Sequence, residues 1–327
     1  MPRNPCAIAF LLLGSLSPLS VSAQSTAPRA CEDPSHREFD FWIGEWDLTN
    51  LQLQEDGSWA PSGTATNRVF PVAGGCGIVE LWDGYLGESH IRGFSVRTFD
   101  DVTRSWHLLL NWPQQNRAGF STLEGVFTHG RGDFISHFTA PDGTAGITRY
   151  SFADIGDQSL RWNDGTSMDG GQTWRTGWIM EFNRRDPMDN PLFNVPLYGT
   201  DETARCTEDV YQAANFLIGN WESTSPDGQK FRVEGTPIVD GCAIMEFIEG
   251  DNGTNAFTVI GYETSAQRWT MTHLDGGDGF DVYHGHLEEG ALVFLDEAGT
   301  ERSRLVPGDG DSLTRVVGGT EIPFVRR

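Results

Sequence analysis

Glu80 and Glu246 are the residues most open to chemistry, because each sits in an apolar run. Ile78, Val79, Leu81 and Trp82 surround the first; Ile244, Met245 and Phe247 surround the second. A carboxylate among such neighbours is costly unless it is paired or protonated. An Arg partner makes it a structural ion pair. A histidine partner makes it a general acid or base, and His107 is the candidate partner for Glu80 in a hydrolase, lyase or isomerase. Ligand binding is the other chemistry on offer. Trp106, Leu108, Leu110 and Trp112 fall on one face of a strand, and Trp269, Met271 and His273 on one face of another. Together with Trp82 and Glu246, these tryptophans and His273 are the candidate lining of a small-molecule cavity.

The remaining histidines point to little. His284 and His286 share a strand face with Phe280 and Val282, and with His273 they make a Zn- or Cu-like combination. Two ligands on one strand are an ordinary packing pattern as well, so no metal is assigned and no cofactor is expected. The chain has no nucleophile elbow, phosphate loop or His-Glu-x-x-His.

Whatever positions these residues is written twice. Phe39-Asp40-Phe41-Trp42-Ile43-Gly44-Glu45-Trp46 returns as Asn215-Phe216-Leu217-Ile218-Gly219-Asn220-Trp221. The Gly lets backbone pass close to its neighbours and the Trp plugs a barrel floor. Further along, Trp106 matches Trp269, Gly125-x-Phe127 matches Gly285-x-Leu287, and Phe182-x-Arg184-Arg185 matches Phe324-x-Arg326-Arg327. Residues that recur in both halves (Trp46, Trp221, Arg184, Arg326) read as structural. Between them run short β-prone segments broken by turns such as Glu55-Asp56-Gly57, Pro141-Asp142-Gly143 and Asp251-Asn252-Gly253. No long stretch keeps a helical period. The expected fold is all-β: two tandem antiparallel up-and-down barrels of about ten short strands each. Ser167-Met168-Asp169-Gly170-Gly171-Gln172-Thr173-Trp174 fits an Asp-box, a hairpin turn without catalytic meaning.

The cysteines follow the repeat. Cys31 precedes Ile43, and Cys206 precedes Ile218, by the same 12 residues; Cys76 and Cys242 each precede a Glu by four. Each half therefore carries its own pair, which favours bridges Cys31–Cys76 and Cys206–Cys242. Arg3, the apolar Ala7 to Leu13 and the small Val21-Ser22-Ala23 before Gln24 form a cleavable export signal too short to span a bilayer. The expected divisions are a signal over 1–23, an N-terminal segment over 24–36, a first barrel over 37–185, a linker with Pro187, Pro191 and Pro196 over 186–205, and a second barrel over 206–327. Net charge is −23 in 327 residues, with Lys230 the single lysine, which argues against nucleic acid and anionic membranes as partners.

A Gly-x-Trp on the first strand with an Arg on the last resembles the calycin pattern of lipocalins and fatty-acid-binding proteins. The resemblance implies that the Arg lies over the Trp ring and closes one barrel end. The FDFWIGEW segment, the Gly-Gly-Cys-x4-Glu segment, the DGGQTW turn and the final F-x-R-R together resemble an exported bacterial family of unknown function. That likeness covers residues 31–185 closely and 206–327 more loosely, with Asn220 for Glu45. Nitrobindins, also calycin-like, hold haem through a late-strand His; no His follows His137 in the first half or His286 in the second, which counts against haem. The function expected is extracytoplasmic binding of a small hydrophobic or amphiphilic molecule, chiefly in the first barrel. A Glu80/His107 enzyme is the alternative, and an interaction module with filled barrels the third reading.

Overall fold

The computed structural model describes residues 31–112, 120–185, 206–225, 228–276 and 279–327. The expected export signal and linker lie outside the described residues.

Two closed ten-stranded barrels follow one another. The first is built from β1 (Gly44–Leu53), β2 (Trp59–Val72), β3 (Gly77–Leu86), β4 (Ser89–Asp100) and β5 (Ser105–Asn111). It continues with β6 (Ser121–Thr128), β7 (Arg131–Thr139), β8 (Ala145–Ala153), β9 (Ser159–Ser167) and β10 (Trp178–Arg184). After the one-turn helix α1 (Asp209–Gln212), the second barrel has β11 (Gly219–Thr224), β12 (Lys230–Ile238), β13 (Ala243–Gly250), β14 (Asn255–Glu263) and β15 (Arg268–Leu274). Its last five strands are β16 (Asp281–Glu288), β17 (Ala291–Leu295), β18 (Glu301–Pro307), β19 (Ser312–Val317) and β20 (Thr320–Arg326). Every strand pairs antiparallel with the next, and β10 and β20 return to β1 and β11. Closure removes free sheet edges, and alternation sends every second side chain inward.

Each floor is made from the repeated residues. The Arg184 guanidinium lies 4.0 Å from the Trp46 ring, and that of Arg326 lies 4.3 Å from the Trp221 ring. Arg184 Nη1 donates to the Ile43 carbonyl at 2.8 Å, and Arg326 Nη1 to that of Ile218 at 3.0 Å. Gly44 and Gly219 are needed here on two counts. Their φ values are +132° and +121°, and a Cβ at Gly44 would lie 2.5 Å from Arg184 Nη1. A Cβ at Gly219 would collide with Arg326 in the same way. Above the first floor, Phe39 and Trp42 enter the barrel and pack among Trp106, Phe134 and Phe152. Ala214 and Leu217 take the same places in the second barrel, so its plug is smaller.

The disulfides are Cys31–Cys76 and Cys206–Cys242, with Cα–Cα distances of 5.1 and 5.0 Å. Each ties the segment before a floor to the turn entering β3 or β13. Closing a 45-residue loop stabilises by about 4 kcal/mol in the chain-entropy model. Reduction should therefore lower the melting temperature clearly, with a non-reducing peptide map showing no bridge between the halves; a mixed bridge would break the repeat-based pairing.

Each barrel has its own interior core, and a third apolar cluster is shared between them. The shared cluster is built from equivalent positions. Outward-facing Val79, Phe94 and Val96 meet Met245, Phe257 and Val259, their counterparts in the repeat. The turn Ala73–Gly75 packs on β14, and the matching turn Val239–Gly241 packs on β4. The two barrels thus meet across a pseudo-twofold axis, as the copies of a symmetric dimer would. Separate cores hold for the interiors, while the facing walls form one joint core.

Candidate functional site

Glu80 points into the first barrel and is 4 % exposed. Asn67 Nδ2 donates to its Oε1 at 2.6 Å, Ser95 Oγ to its Oε2 at 2.6 Å, and Arg97 Nη2 to Oε2 at 3.4 Å. The carboxylate is therefore one half of an interior ion pair. Arg97 lies 3.9 Å over the Trp42 ring and within 5.4 Å of the Phe39 and Phe152 rings. Burial pulls the Arg97 guanidinium down to about 10, against the opposing pull of Glu80, so it stays charged at neutral pH.

His107 does not join Glu80. Trp106, Leu108 and Leu110 face inward, so strand alternation turns His107 to the outer wall. There its Nε2 is 3.2 Å from Thr103 Oγ1, 3.9 Å from Glu124 and 4.0 Å from Asp100. The expected catalytic pair is split by the thickness of the sheet.

The second barrel repeats the interior ion pair from a different wall. Glu246 is fully buried, and Arg315 holds both its oxygens, with Nη1–Oε2 at 3.1 Å. Registers make the exchange explicit. Glu80 pairs with Ser95 and Glu246 with Thr258, so Ile260 on β14 stands where Arg97 stands on β4. Leu160 pairs with Phe182 and Leu313 with Phe324, so Arg315 on β19 stands where Trp162 stands on β9. One barrel carries Arg/Trp and the other Ile/Arg at the same two positions. Glu246 is thus a charge partner in the core and not part of an open cavity.

The tryptophans separate by position. Trp106 is 1 % exposed, packs on Phe39 near the floor and donates its indole N–H to Glu38 at 3.0 Å. Trp269 is buried against Tyr262. Both are core residues. Trp82 and Trp112 belong instead to the end opposite the floor, since Trp112 follows the last residue of β5, Trp178 opens the strand that finishes at Arg184, and Trp82 packs on both. Ring centroids there are 5.4 Å apart for Trp82–Trp112, 6.4 Å for Trp112–Trp178, 5.1 Å for Trp162–Trp178 and 4.8 Å for Tyr150–Trp162, all edge-to-face. Gly93 leaves the room that the Trp112 ring occupies. Trp112, Trp178 and Tyr150 are half-buried and form the rim. Burial pushes the Tyr150 hydroxyl up to about 12, which keeps it a neutral donor. Below the rim, a cavity of about 20 Å³, enough for one water, is lined by Glu80, Arg97, Trp42 and the rings of Trp112, Tyr150, Trp162 and Trp178. Arg97 Nε and Nη1 and Trp42 Nε1, on residues that line this cavity, are buried without a hydrogen-bond partner among the described residues, as is Trp82 Nε1.

The expected His set does not converge. His273 faces inward and meets Thr258 Oγ1 at 3.0 Å, whereas His284 meets Thr270 Oγ1 at 3.1 Å on the outer face, which His286 shares. Among the described residues no group of three or more His, Cys, Asp or Glu is placed to hold a metal ion. The Asp-box is a closed turn: Asp169 binds Ser167 and Thr173, and Trp174 lies under the Arg149 guanidinium at 4.0 Å. Among the described residues no helix is long and apolar enough to cross a membrane.

No family model and no curated protein matches this chain. Solved structures similar to it include Rv2717c from M. tuberculosis, at 14 % identity and a TM-score of 0.33, over 47 % of this chain and 98 % of that one. EF1p2_mFAP2b bound to DFHBI gives 14 %, 0.26, and 46 % and 99 % coverage. A protein of unknown function of the DUF3598 family from Nostoc punctiforme gives 10 % and 0.25, over 90 % and 99 %. At such scores the likenesses carry no argument about activity. The chain is a tandem of closed ten-stranded barrels, each with a buried Glu–Arg pair.

Proposed function

We propose that the protein is an extracytoplasmic binding protein, calycin-like in design, that takes a small hydrophobic or amphiphilic molecule at the aromatic rim of the first barrel. One observation carries the reading: five rings, three of them half-buried, converge beside buried N–H donors that have no partner among the described residues. Pockets of this make, mostly aromatic with a few polar groups at the base, suit ligands with an apolar body and one acceptor. The interior cavity is water-sized, so the ligand sits at the rim and exchanges places with the Trp112 ring. The two disulfides and the N-terminal pattern support an oxidising, extracytoplasmic setting.

That same small volume favours a second reading, a rigid interaction module with filled barrels. Tryptophan fluorescence against a panel of hydrophobic and amphiphilic compounds separates the two. Binding at the rim predicts a saturable signal weakened at least tenfold by Trp112→Ala, with Trp269→Ala retaining affinity if it folds. Loss with Trp269→Ala alone, both variants folded, would move the chamber to the second barrel. No saturable signal from any compound would leave the module.

A further inference from the structure

The pseudo-twofold contact between the barrels has two equivalent edges, and they differ in their charged groups. At the first edge, Arg92 on β4 lies between two carboxylates. Its Nε donates to Asp83 Oδ2 at 3.0 Å and its Nη1 to Asp240 Oδ1 at 2.5 Å, with the side chain 6 % exposed. His90 adds a contact to Asp83 at 2.5 Å. Asp83 pairs across strands with Arg92, and Glu249 pairs in the same way with Asn255. Asn255 is therefore the counterpart of Arg92, Glu249 of Asp83, and Gly74, which meets the Asn255 side chain, of Asp240. The shorter hairpin of the second barrel, 250–254, carries no histidine.

The second edge thus keeps one of the two carboxylates, as Glu249, and has no charged counterpart of Arg92, Asp240 or His90. Glu249, Asn255 and Gly74 all line a cleft of about 720 Å³ between the barrels, whose apolar side includes Val72 and Phe247. Three arginines also line the cleft, and each is engaged: Arg232 and Arg327 each lie 3.3 Å from Glu222, while Arg37 lies 3.8 Å from Asp40 and donates to the Gly75 carbonyl. Glu249 and Glu234 form no ion pair among the described residues and add to the field of a chain with net charge −23.

We propose that this cleft is a binding site for a small organic cation, a guanidinium or primary ammonium on an apolar body. Its charged head sits against Glu249 as the Arg92 guanidinium sits against Asp83, and its body lies on Phe247 and Val72. Volume and position suit a ligand site, since clefts of several hundred Å³ between domains are common binding places. The site is separate from the aromatic rim of the first barrel, so either can fail without the other.

The test titrates n-butylguanidinium into the full chain by calorimetry at low ionic strength, where a surface carboxylate is least screened. Saturable one-site binding is expected. Glu249→Gln should weaken it at least tenfold. Asn255→Arg should weaken it as much by supplying the cation from within, while keeping or raising the melting temperature. Trp112→Ala should leave it unchanged. Absence of saturable binding, or binding that survives Asn255→Arg in a folded protein, would overturn the proposal.

Discussion

Replacing Glu246 by Ala should destabilise the protein by about 3–5 kcal/mol, because it strands the Arg315 guanidinium inside the second barrel. Arg315 is 8 % exposed and Glu246 fully buried. No other carboxylate is hydrogen-bonded to Arg315 among the described residues. The double variant Glu246→Leu with Arg315→Met should recover most of that loss, since well-packed apolar residues commonly match or exceed a buried ion pair. Urea denaturation of the two single variants and the double provides the cycle. A single-variant cost below about 1 kcal/mol would mean that Arg315 reaches water or another acceptor once freed. Glu80→Ala should behave similarly, with Arg97 left under three aromatic rings and without a counter-ion.

The interior pairs also mark the limit of what the sequence discloses. Gly44, Trp46 and Arg184 were legible because the chain repeats them as Gly219, Trp221 and Arg326, and a residue kept at matched positions of two barrels has a matched job. Strand alternation likewise separated inward Leu108 and Leu110 from their neighbours, and the repeated cysteine spacing identified both bridges. Arg97 and Arg315 escaped the same comparison for a physical reason. Any position on the inner wall can reach the barrel axis, so the counter-ion of a central carboxylate is free to move from β4 to β19 if a bulky side chain moves the other way. A repeat search rejects such residues as unmatched. A usable signal was parity: Arg97 shares its face with Ser95 and Phe99, and Phe99 is core. Parity also argues against joining His107 to Glu80, since His107 alternates with Trp106 and Leu108. The joint core between barrels was hidden for another reason. Val79, Phe94 and Val96 face outward on strands whose inner faces also carry Ile78, Trp82, Ile91 and Phe99, and a strand with apolar residues on both faces discloses only that both sides are covered.

A fragment of residues 24–190 should fold and then dimerise. It holds its own floor, disulfide and interior cluster, yet it lacks the second barrel that covers Val79, Leu81, Phe94 and Val96, all at most 2 % exposed in the whole chain. An uncovered apolar face of that kind seeks a partner. The partner it fits is its own copy, because the covering wall in the full chain consists of the equivalent residues of the second barrel, related by a pseudo-twofold axis. In such a dimer each Arg92 would face Gly74 of the other copy, where the full chain offers Asp240. Gly74→Asp should therefore tighten the dimer about tenfold by restoring two copies of the Arg92–Asp240 pair. The backbone accepts the change, since Asp240 already occupies that turn position at φ 60° and Gly74 has φ 64°. Sedimentation of the fragment, of its Gly74→Asp variant and of Gly74→Asp with Arg92→Ala checks each step. A tightening that Arg92→Ala does not remove would assign the effect to something other than the ion pair. A fragment that remains monomeric and melts where the full chain melts would show that the shared wall contributes nothing to stability, and the pseudo-symmetric contact would then be an arrangement without energetic consequence.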